Sequence, residues 1–275
     1  MSDDGLMIHR IEAGSKVDLR DIDPRKTPGL SGSKEEERAE AERVHSENIG
    51  AMRALQYNLW AEQKQGLLVV LQGMDTSGKD GTIRHVFGPL NPQGVRTQGF
   101  KKPTPIELRH DFLWRVHKHT PAAGRIVVFN RSHYEDVLAV RVLKLIPEEK
   151  WRLRYAHIND FEQLLTESGT RVVKIMLHMS KEEQKERLQA RLDEPGKRWK
   201  FERGDLETRK LWDDYRAAYE EAIERCSTAH APWHVVPADR KWYRNWAVST
   251  IVRANLEAMD PQTPPEPDLD GVVIE

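Results

Sequence analysis

The stretch "LLVVLQGMDTSGKDG", residues 67–81, decides the fold. Five aliphatic residues and Gln72 run directly into a glycine loop that ends in Gly-Lys. A run this short and aliphatic predicts a buried strand. Gly73, Gly78 and Lys79 fit the spacing G-x-x-x-x-G-K. In that pattern successive backbone N–H groups turn inward on phosphate oxygens. The positive end of the following helix points at the same place, and the lysine adds a point charge. Glycines at 73, 78 and 81 keep side chains out of the cradle. An ordinary glycine-rich turn is the competing reading, and the strand before and helix after favour the phosphate loop. The Ser or Thr that normally follows the lysine and ligates Mg²⁺ is absent. Asp80 stands there instead. Asp75 and Asp80 are therefore candidates to hold the hard cation or its waters. Asp80 also reads as a first-turn acid favoured by the helix dipole. Asp75 is harder to explain in that way, because a carboxylate among phosphates is repelled unless a metal or proton lies between them.

Outward from the loop, strands alternate with helices. A long helix is expected from Ser33 to about Gln65, with Leu55, Leu59 and Trp60 on one face. Thr104-Pro105-Ile106-Glu107 reads as a capping box opening a helix through His119. "RIVVFN" (125–130), "RVVKIMLHM" (171–179) and "WHVVPA" (233–238) are three more buried strands. Helical patterns fill 132–145 and 147–168, and Ser180 with Glu183 forms a second capping box. A Trp-rich helix follows the last strand. The expected fold is α/β, a three-layer arrangement with a parallel sheet flanked by helices. Residues 1–33 read as an extended arm and 34–259 as the domain. The tail 260–275, with four prolines, five acidic residues and no basic one, reads as loose, with "GVVIE" as a segment able to dock.

The chain has 275 residues, 38% hydrophobic and 32% charged, which suits a globular domain with a sizeable core. Its net charge is −1, so a polyanion site must come from local clustering of Lys and Arg. The single Cys226 excludes an intrachain disulfide and a Cys-based zinc site and reads as a packing residue. No apolar run approaches the ~20 residues that span a bilayer. The polar N-terminus lacks a signal h-region, so a cytoplasmic location is expected.

Two further constellations carry chemistry. "FNRSHYEDV" (129–137) sits at the carboxyl end of a buried strand, the edge where open α/β sheets bind ligands. That places Asn130, Arg131, Glu135 and Asp136 within reach of the loop. Asn130 stands where the usual strand-end Asp would be; it offers an oxygen but no charge. Arg131 braces phosphate with a planar fork. His133 reads better as a structural or substrate-contact residue than as a phosphohistidine. In "RLQARLDEPGKRWKFERGD" (187–205), Arg187 and Arg191 share a helix face. Lys197, Arg198, Lys200 and Arg203 follow, opposed only by Glu202 after Gly196. Pro195-Gly196 interrupts the helices as a mobile lid would, spanning about 181–210. A solvated basic face is the plainer alternative. A lid this basic suits a long polyanion, and no stacking platform or groove-reading motif points to nucleic acid.

Together "GMDTSGKDG", "NPQGV" (91–95), "FNRSHYEDV", "KRWKF" (197–201) and "WYRNW" (242–246) resemble the type-2 polyphosphate kinases, in the same order over about residues 15–258. The resemblance implies a P-loop kinase-like fold with a helical lid. It also implies Mg²⁺-dependent phosphoryl transfer between inorganic polyphosphate and a nucleotide, with Mn²⁺ as a substitute ion. By resemblance Asp75, Lys79, Asp80 and Arg131 carry over to the metal and phosphate site. Lys197, Arg198 and Lys200 carry over to the lid, where Arg191 is also expected on phosphate. The commoner second motif reads Asp-Arg-Ser-Trp-Tyr-Asn-Arg. Here Asn130, His133, Glu135 and Asp136 replace four of those positions, which puts the second-strand metal ligand in question. The chain resembles the branch, called class III, that accepts both AMP and ADP. Asn130, Arg131 and Glu135 are then the nucleotide side, with AMP, ADP and ATP as ligands. Two rivals stand beside this reading: an ATP-dependent nucleotide kinase of the same fold, and a non-catalytic binder of polyphosphate or nucleotide. A homo-oligomer without membrane or nucleic-acid partners is expected.

Overall fold

The computed structural model describes residues 4–201, 203–268, 270 and 274. Among them, α1 (Asp4–Met7), β1 (Arg10–Ile11), α2 (Lys34–Glu62) and β2 (Gly66–Gln72) lead into the loop and α3 (Lys79–Thr82), which continues as a π-helical turn over Ile83–Phe87. Then come β3 (Val95–Gly99), α4 (Trp114–His117), β4 (Ile126–Asn130), α5 (Ala139–Val142), α6 (Glu148–Glu167) and β5 (Thr170–His178). The chain ends its regular structure with α7 (Lys181–Asp193), α8 (Arg203–Lys210), α9 (Trp212–Cys226), β6 (Trp233–Pro237) and α10 (Lys241–Met259). The six strands make one sheet in the order β1-β6-β5-β2-β4-β3. All pairs are parallel except β1 with β6.

β2 lies at the centre, and every one of its residues is buried. Side chains alternate across a strand, so β2 serves both layers. Leu68 and Val70 enter a core with Val127, Phe129, Val172 and Met176, closed by Tyr155, Ile158 and Phe161 of α6 and Ala222 and Ile223 of α9. Leu67, Val69 and Leu71 enter the opposite core with Val128, Val173 and Ile175, closed by Met52 and Leu59 of α2 and Ala247, Ile251 and Val252 of α10. The α/β three-layer architecture is the one expected. Cys226 is a packing residue: it is fully buried and burial pushes its thiol up to about 12. None of the described helices is long and apolar enough to cross a membrane.

Several local expectations fail for identifiable reasons. The arm is not simply extended. Its Ile11 pairs beside Trp233, and Leu19 is 2% exposed, so apolar burial ties it to the domain. The helix expected over 104–119 is broken. Thr104 and Glu107 do exchange capping bonds of 3.3 and 2.7 Å. However, the Asp111 carboxylate caps Leu113 and Trp114 N–H afresh, both at 3.0 Å, so only a 3₁₀ turn and α4 form. Ser132 likewise caps a short 3₁₀ turn over His133–Asp136 in place of a helix. The Ser180 box is half made. Ser180 Oγ accepts from Glu183 N–H at 3.0 Å, but Asp239 takes the Ser180 N–H and Glu183 turns to Arg187. Residues 262–268 are exposed and irregular, as expected for the tail. Most of "GVVIE" lies outside the described residues.

Between β5, α6 and the turn after β4 lies a fully buried charged network. Lys174 on β5, Glu162 on α6, His133 and Tyr134 are all fully buried. Lys174 Nζ pairs with Glu162 and also donates to Tyr134 Oη at 3.0 Å and to Cys226 O. Burial alone would raise the Glu162 carboxyl, but Lys174 and the His133 hydrogen bond hold it below its ordinary value. Removing one partner of such a pair strands the other charge in a dry interior. Glu162→Gln should therefore cost about 3–5 kcal/mol of stability, read by urea unfolding. A loss within about 0.5 kcal/mol, the range of ordinary surface substitutions, would show that the pair is not isolated from water.

Candidate phosphate-transfer site

The loop's shape follows from two glycines. Gly73 has φ 147°, and a Cβ there would sit 2.7 Å from Leu177 O and from Ser77 Oγ. Gly78 has φ 105°, and a Cβ there would collide with the Arg244 guanidinium. Among the described residues, Thr76 (φ 66°) and Arg131 (φ 62°) are two of the six non-glycine residues with positive φ, a region that side chains with a Cβ generally disfavour. Both strained positions lie at the site, where such conformations persist only under tight constraint.

The parallel register sets Leu71 beside Asn130. The loop after β2 and the turn after β4 therefore leave the sheet side by side. Two hydrogen bonds join them. Arg131 Nη2 donates to Asp75 Oδ1 at 2.7 Å, and Asn130 Nδ2 donates to Asp80 Oδ1 at 2.7 Å. Lys79, 9% exposed, folds over the loop and donates to Gly73 O at 2.7 Å and Met74 O at 3.2 Å. Burial lowers its ammonium pKa, and Asp75 works against that shift. Glu135 rises from the 3₁₀ turn to the same place. In the orientation that satisfies its neighbours, the Gln72 amide donates to Glu135 at 3.2 Å. Burial raises the Glu135 carboxyl pKa, while Arg131 and Lys79 restrain it. The residues read from sequence as phosphate, metal and nucleotide contacts thus converge on one sheet edge: Gly73, Asp75, Gly78, Lys79, Asp80, Asn130, Arg131 and Glu135. Gly81 follows on the first turn of α3.

Asp136 does not join them. The turn points it away from the loop, and it pairs with Arg154 at 2.6 Å. His133 is fully buried on the far side, 3.1 Å from Glu162, which fits its structural reading.

The lid helix holds the loop from outside. Arg187 donates from Nη1 to Thr76 O and Ser77 O, and from Nη2 to Ala238 O and Asp239 O, at 2.8–3.1 Å. Gln184 Nε2 donates to Asp75 O at 3.1 Å. With those carbonyls drawn outward, the loop is braced against the lid helix. Arg191, expected on phosphate, is held within the lid. It donates to Lys200 O and pairs with Asp205 at 3.2 Å, a strut inside the lid. Lys197 pairs with Glu194 at 2.5 Å; Glu202, expected to oppose the basic run, lies outside the described residues. Arg198 Nε donates to Leu192 O at 2.8 Å, and Lys200 lies 5.1 Å above the ring of Trp199, which is 77% exposed.

Sequence reasoning missed several contributors. Tyr219 of α9 accepts from Gly73 N–H at 3.1 Å, and burial raises its phenol pKa. Tyr215, one turn earlier, has a pKa pushed up to about 12, first by burial and then by Glu135 and Asp75. Their i, i+4 spacing was the available signal. Arg244, inside "WYRNW", lies behind the loop and was singled out only as part of a motif.

An α/β sheet with a phosphate loop at its central strand, charged residues at the adjacent strand end and a basic helical lid defines a phosphotransferase of the P-loop type. Comparison with known proteins is more specific. The profile of the family described as Polyphosphate kinase 2 (PPK2) matches residues 33–264, and the chain belongs to that family. It is 49% identical over 268 residues to the AMP/ADP-polyphosphate phosphotransferase of Meiothermus ruber, covering 97% of this chain and 99% of that protein. It is 42% identical over 271 residues to the ADP-polyphosphate phosphotransferase of Rhodopseudomonas palustris, covering 93% and 92%. The crystal structure of Polyphosphate Kinase 2 from Arthrobacter aurescens TC1 superimposes with a TM-score of 0.90 at 45% identity, covering 95% of this chain and 92% of that one.

The ammonium of Lys79 is the one side-chain cation that the loop itself contributes. Lys79→Ala should keep the fold and lower turnover by about two orders of magnitude or more, the scale of losing one stabilising donor. Near-normal turnover in the folded variant would remove the loop from the chemistry.

Proposed function

We propose that this chain transfers phosphoryl groups directly between inorganic polyphosphate and adenine nucleotides, AMP to ADP and ADP to ATP. The observation that supports it best is the joining of Asp75 to Arg131 and of Asp80 to Asn130 around Lys79. A nucleotide phosphate oxygen forms the new P–O bond to the terminal phosphorus of the polyphosphate. The P–O bond to the rest of the chain breaks in line, releasing a polyphosphate one unit shorter. No group on the protein needs to become phosphorylated, because the work is positioning and charge neutralisation. Lys79, with the loop's N–H groups and the N-terminus of α3, holds the donor's end. Arg131 spans donor and acceptor. The basic residues Lys197, Arg198 and Lys200 track the remainder of the chain, with Arg191 holding the lid together beneath them.

A divalent cation fits the donor set. Asp75 and Asp80 are hard oxygen donors beside the phosphates' own oxygens, the chemistry Mg²⁺ prefers. No cluster of three acidic, His or Cys residues is gathered among the described residues, so substrate oxygens and water would complete the shell. When bound, the cation neutralises charge on the transferring phosphates. Glu135 replaces an amide of the commoner motif and, as a carboxylate, accepts from a ribose hydroxyl or base amino group while repelling bare phosphate. This reading assigns it to acceptor choice. A cytoplasmic homo-oligomer belongs to the same reading. Tyr57 and Trp60 on α2, 61% and 38% exposed, offer an apolar patch for self-association that light scattering would detect.

The deciding experiment supplies AMP and polyphosphate without ATP and looks for ADP, then ATP, with and without Mg²⁺. ADP formation is expected only with the metal; its absence while ATP serves as donor would replace this reading with an ATP-dependent kinase. Asp75→Asn should shift the Mg²⁺ titration midpoint upward as well as slow turnover, since a neutral amide is a poorer ligand for a hard cation. An unmoved midpoint would take Asp75 out of the metal's surroundings. Glu135→Gln should change the AMP-to-ADP ratio of kcat/KM and leave the KM for polyphosphate nearly constant. If it lowers thermal stability and leaves the ratio alone, Glu135 only braces the turn.

A further inference from the structure

Arg244, the fourth residue of α10, is 3% exposed. It packs against the face of α3 that Gly78 and Gly81 share. A Cβ at Gly78 would collide with its Nη1, and one at Gly81 would lie 3.2 Å from its Nη2. A buried guanidinium ordinarily has a carboxylate for company. Arg244 has none among the described residues. Nε and Nη2 donate to the Asn245 amide oxygen, at 3.3 and 2.9 Å, and Nη1 has no acceptor. The charged group that bears on it is Arg187, of the same sign, and four backbone carbonyls already satisfy that guanidinium. Desolvation and then Arg187 push the Arg244 pKa down to about 10. Asp80, two residues after Gly78 in the first turn of α3, gives its carboxylate to Asn130.

An uncompensated cation in a dry interior is costly to keep. The same dryness makes its field strong at the loop it touches. We propose that Arg244 is a positioning residue whose counter-charge is the polyanion itself: it holds α3 and the loop through Gly78 and Gly81 and adds attraction for polyphosphate without touching it. This rests on the reading of the loop as a polyphosphate cradle. It also gives a reason for Gly81, where a Cβ would crowd the guanidinium at 3.2 Å; Gly78 is already required by its φ of 105°.

A structural arginine and a charge-compensating one respond oppositely to neutralisation. Melting temperature is measured for the wild type, Arg244→Met, Arg244→Gln and Arg244→Lys, alone and with linear polyphosphate, together with KM for polyphosphate and for AMP. Arg244→Met should melt no lower than the wild type when alone, because a stranded charge is gone. Its polyphosphate-induced rise in melting temperature should shrink by about half or more, and its KM for polyphosphate should climb by about tenfold or more, the low end of the coupling between close charges. KM for AMP should stay within about twofold, and Arg244→Lys should recover most of the loss because it keeps the charge. The proposal falls if Arg244→Met melts lower alone with both KM values unchanged, if Arg244→Lys is as impaired as Arg244→Met, or if neither neutral variant folds. Wild-type protein that makes no ADP from AMP and polyphosphate overturns the underlying function instead. The same melting comparison with ATP as the polyanion then decides Arg244 on its own.

Discussion

The register of β2 against β4, with Leu71 beside Asn130, is the constraint on which the site depends. A parallel pair leaves both chains on the same edge of the sheet. One departs as the glycine loop, the other as the Asn130–Arg131 turn. A slip of one residue would send the alternating core residues of β4 to the wrong layer. It would also carry Arg131 away from Asp75. Because Val128 and Phe129 are fully buried in opposite cores, that slip is strongly opposed. The packing that holds the sheet together thus also fixes the distance between the two halves of the site.

Charge organises what the register brings together. Asp75, Asp80 and Glu135 stand against Lys79 and Arg131, three anions facing two cations. By itself such a cluster has no surplus attraction for a polyphosphate. The carboxylates are tolerable because Arg131 and Asn130 hold two of them in place and burial raises the pKa of the third. Any surplus has to come from outside the cluster; on the proposed reading its sources are a divalent ion, the basic residues of the lid and the buried Arg244.

Much of this was legible in sequence where one physical cause dominates. The four long aliphatic strands were readable because burial on both faces leaves no alternative to apolar runs. The two-residue β1 and the polar "VRTQG" of β3 were not, since edge strands carry little apolar signal. The broken helix over 104–119 escaped because Asp111 competes as a second cap, a contest that capping patterns alone do not decide. Within the site, residues close to the loop in sequence or at the adjacent strand end could be placed together. Asp136 could not be told from Glu135, its neighbour, because a 3₁₀ turn sends the two in opposite directions. Gln184, Arg187, Tyr219 and Arg244 come from helices 100 residues or more downstream of the loop, and their arrival depends on how α7, α9 and α10 pack.

The same packing explains why the lid and the loop behave as one unit. Arg187 and Gln184 lie on α7, yet their hydrogen bonds end on Asp75, Thr76 and Ser77 of the loop. Arg209 of α8 in turn donates to Gln184 Oε1 at 3.0 Å, so the chain of contacts runs from the second lid helix to the backbone of Asp75. Lid movement that displaced α8 would tug on Gln184 and, through it, on Asp75. An arrangement of this kind ties the geometry of the carboxylates to the position of the lid. Arg131 holds the Asp75 carboxylate at 2.7 Å while Gln184 holds its carbonyl at 3.1 Å, so the strand-end turn and the lid helix fix the same residue from its side chain and from its backbone.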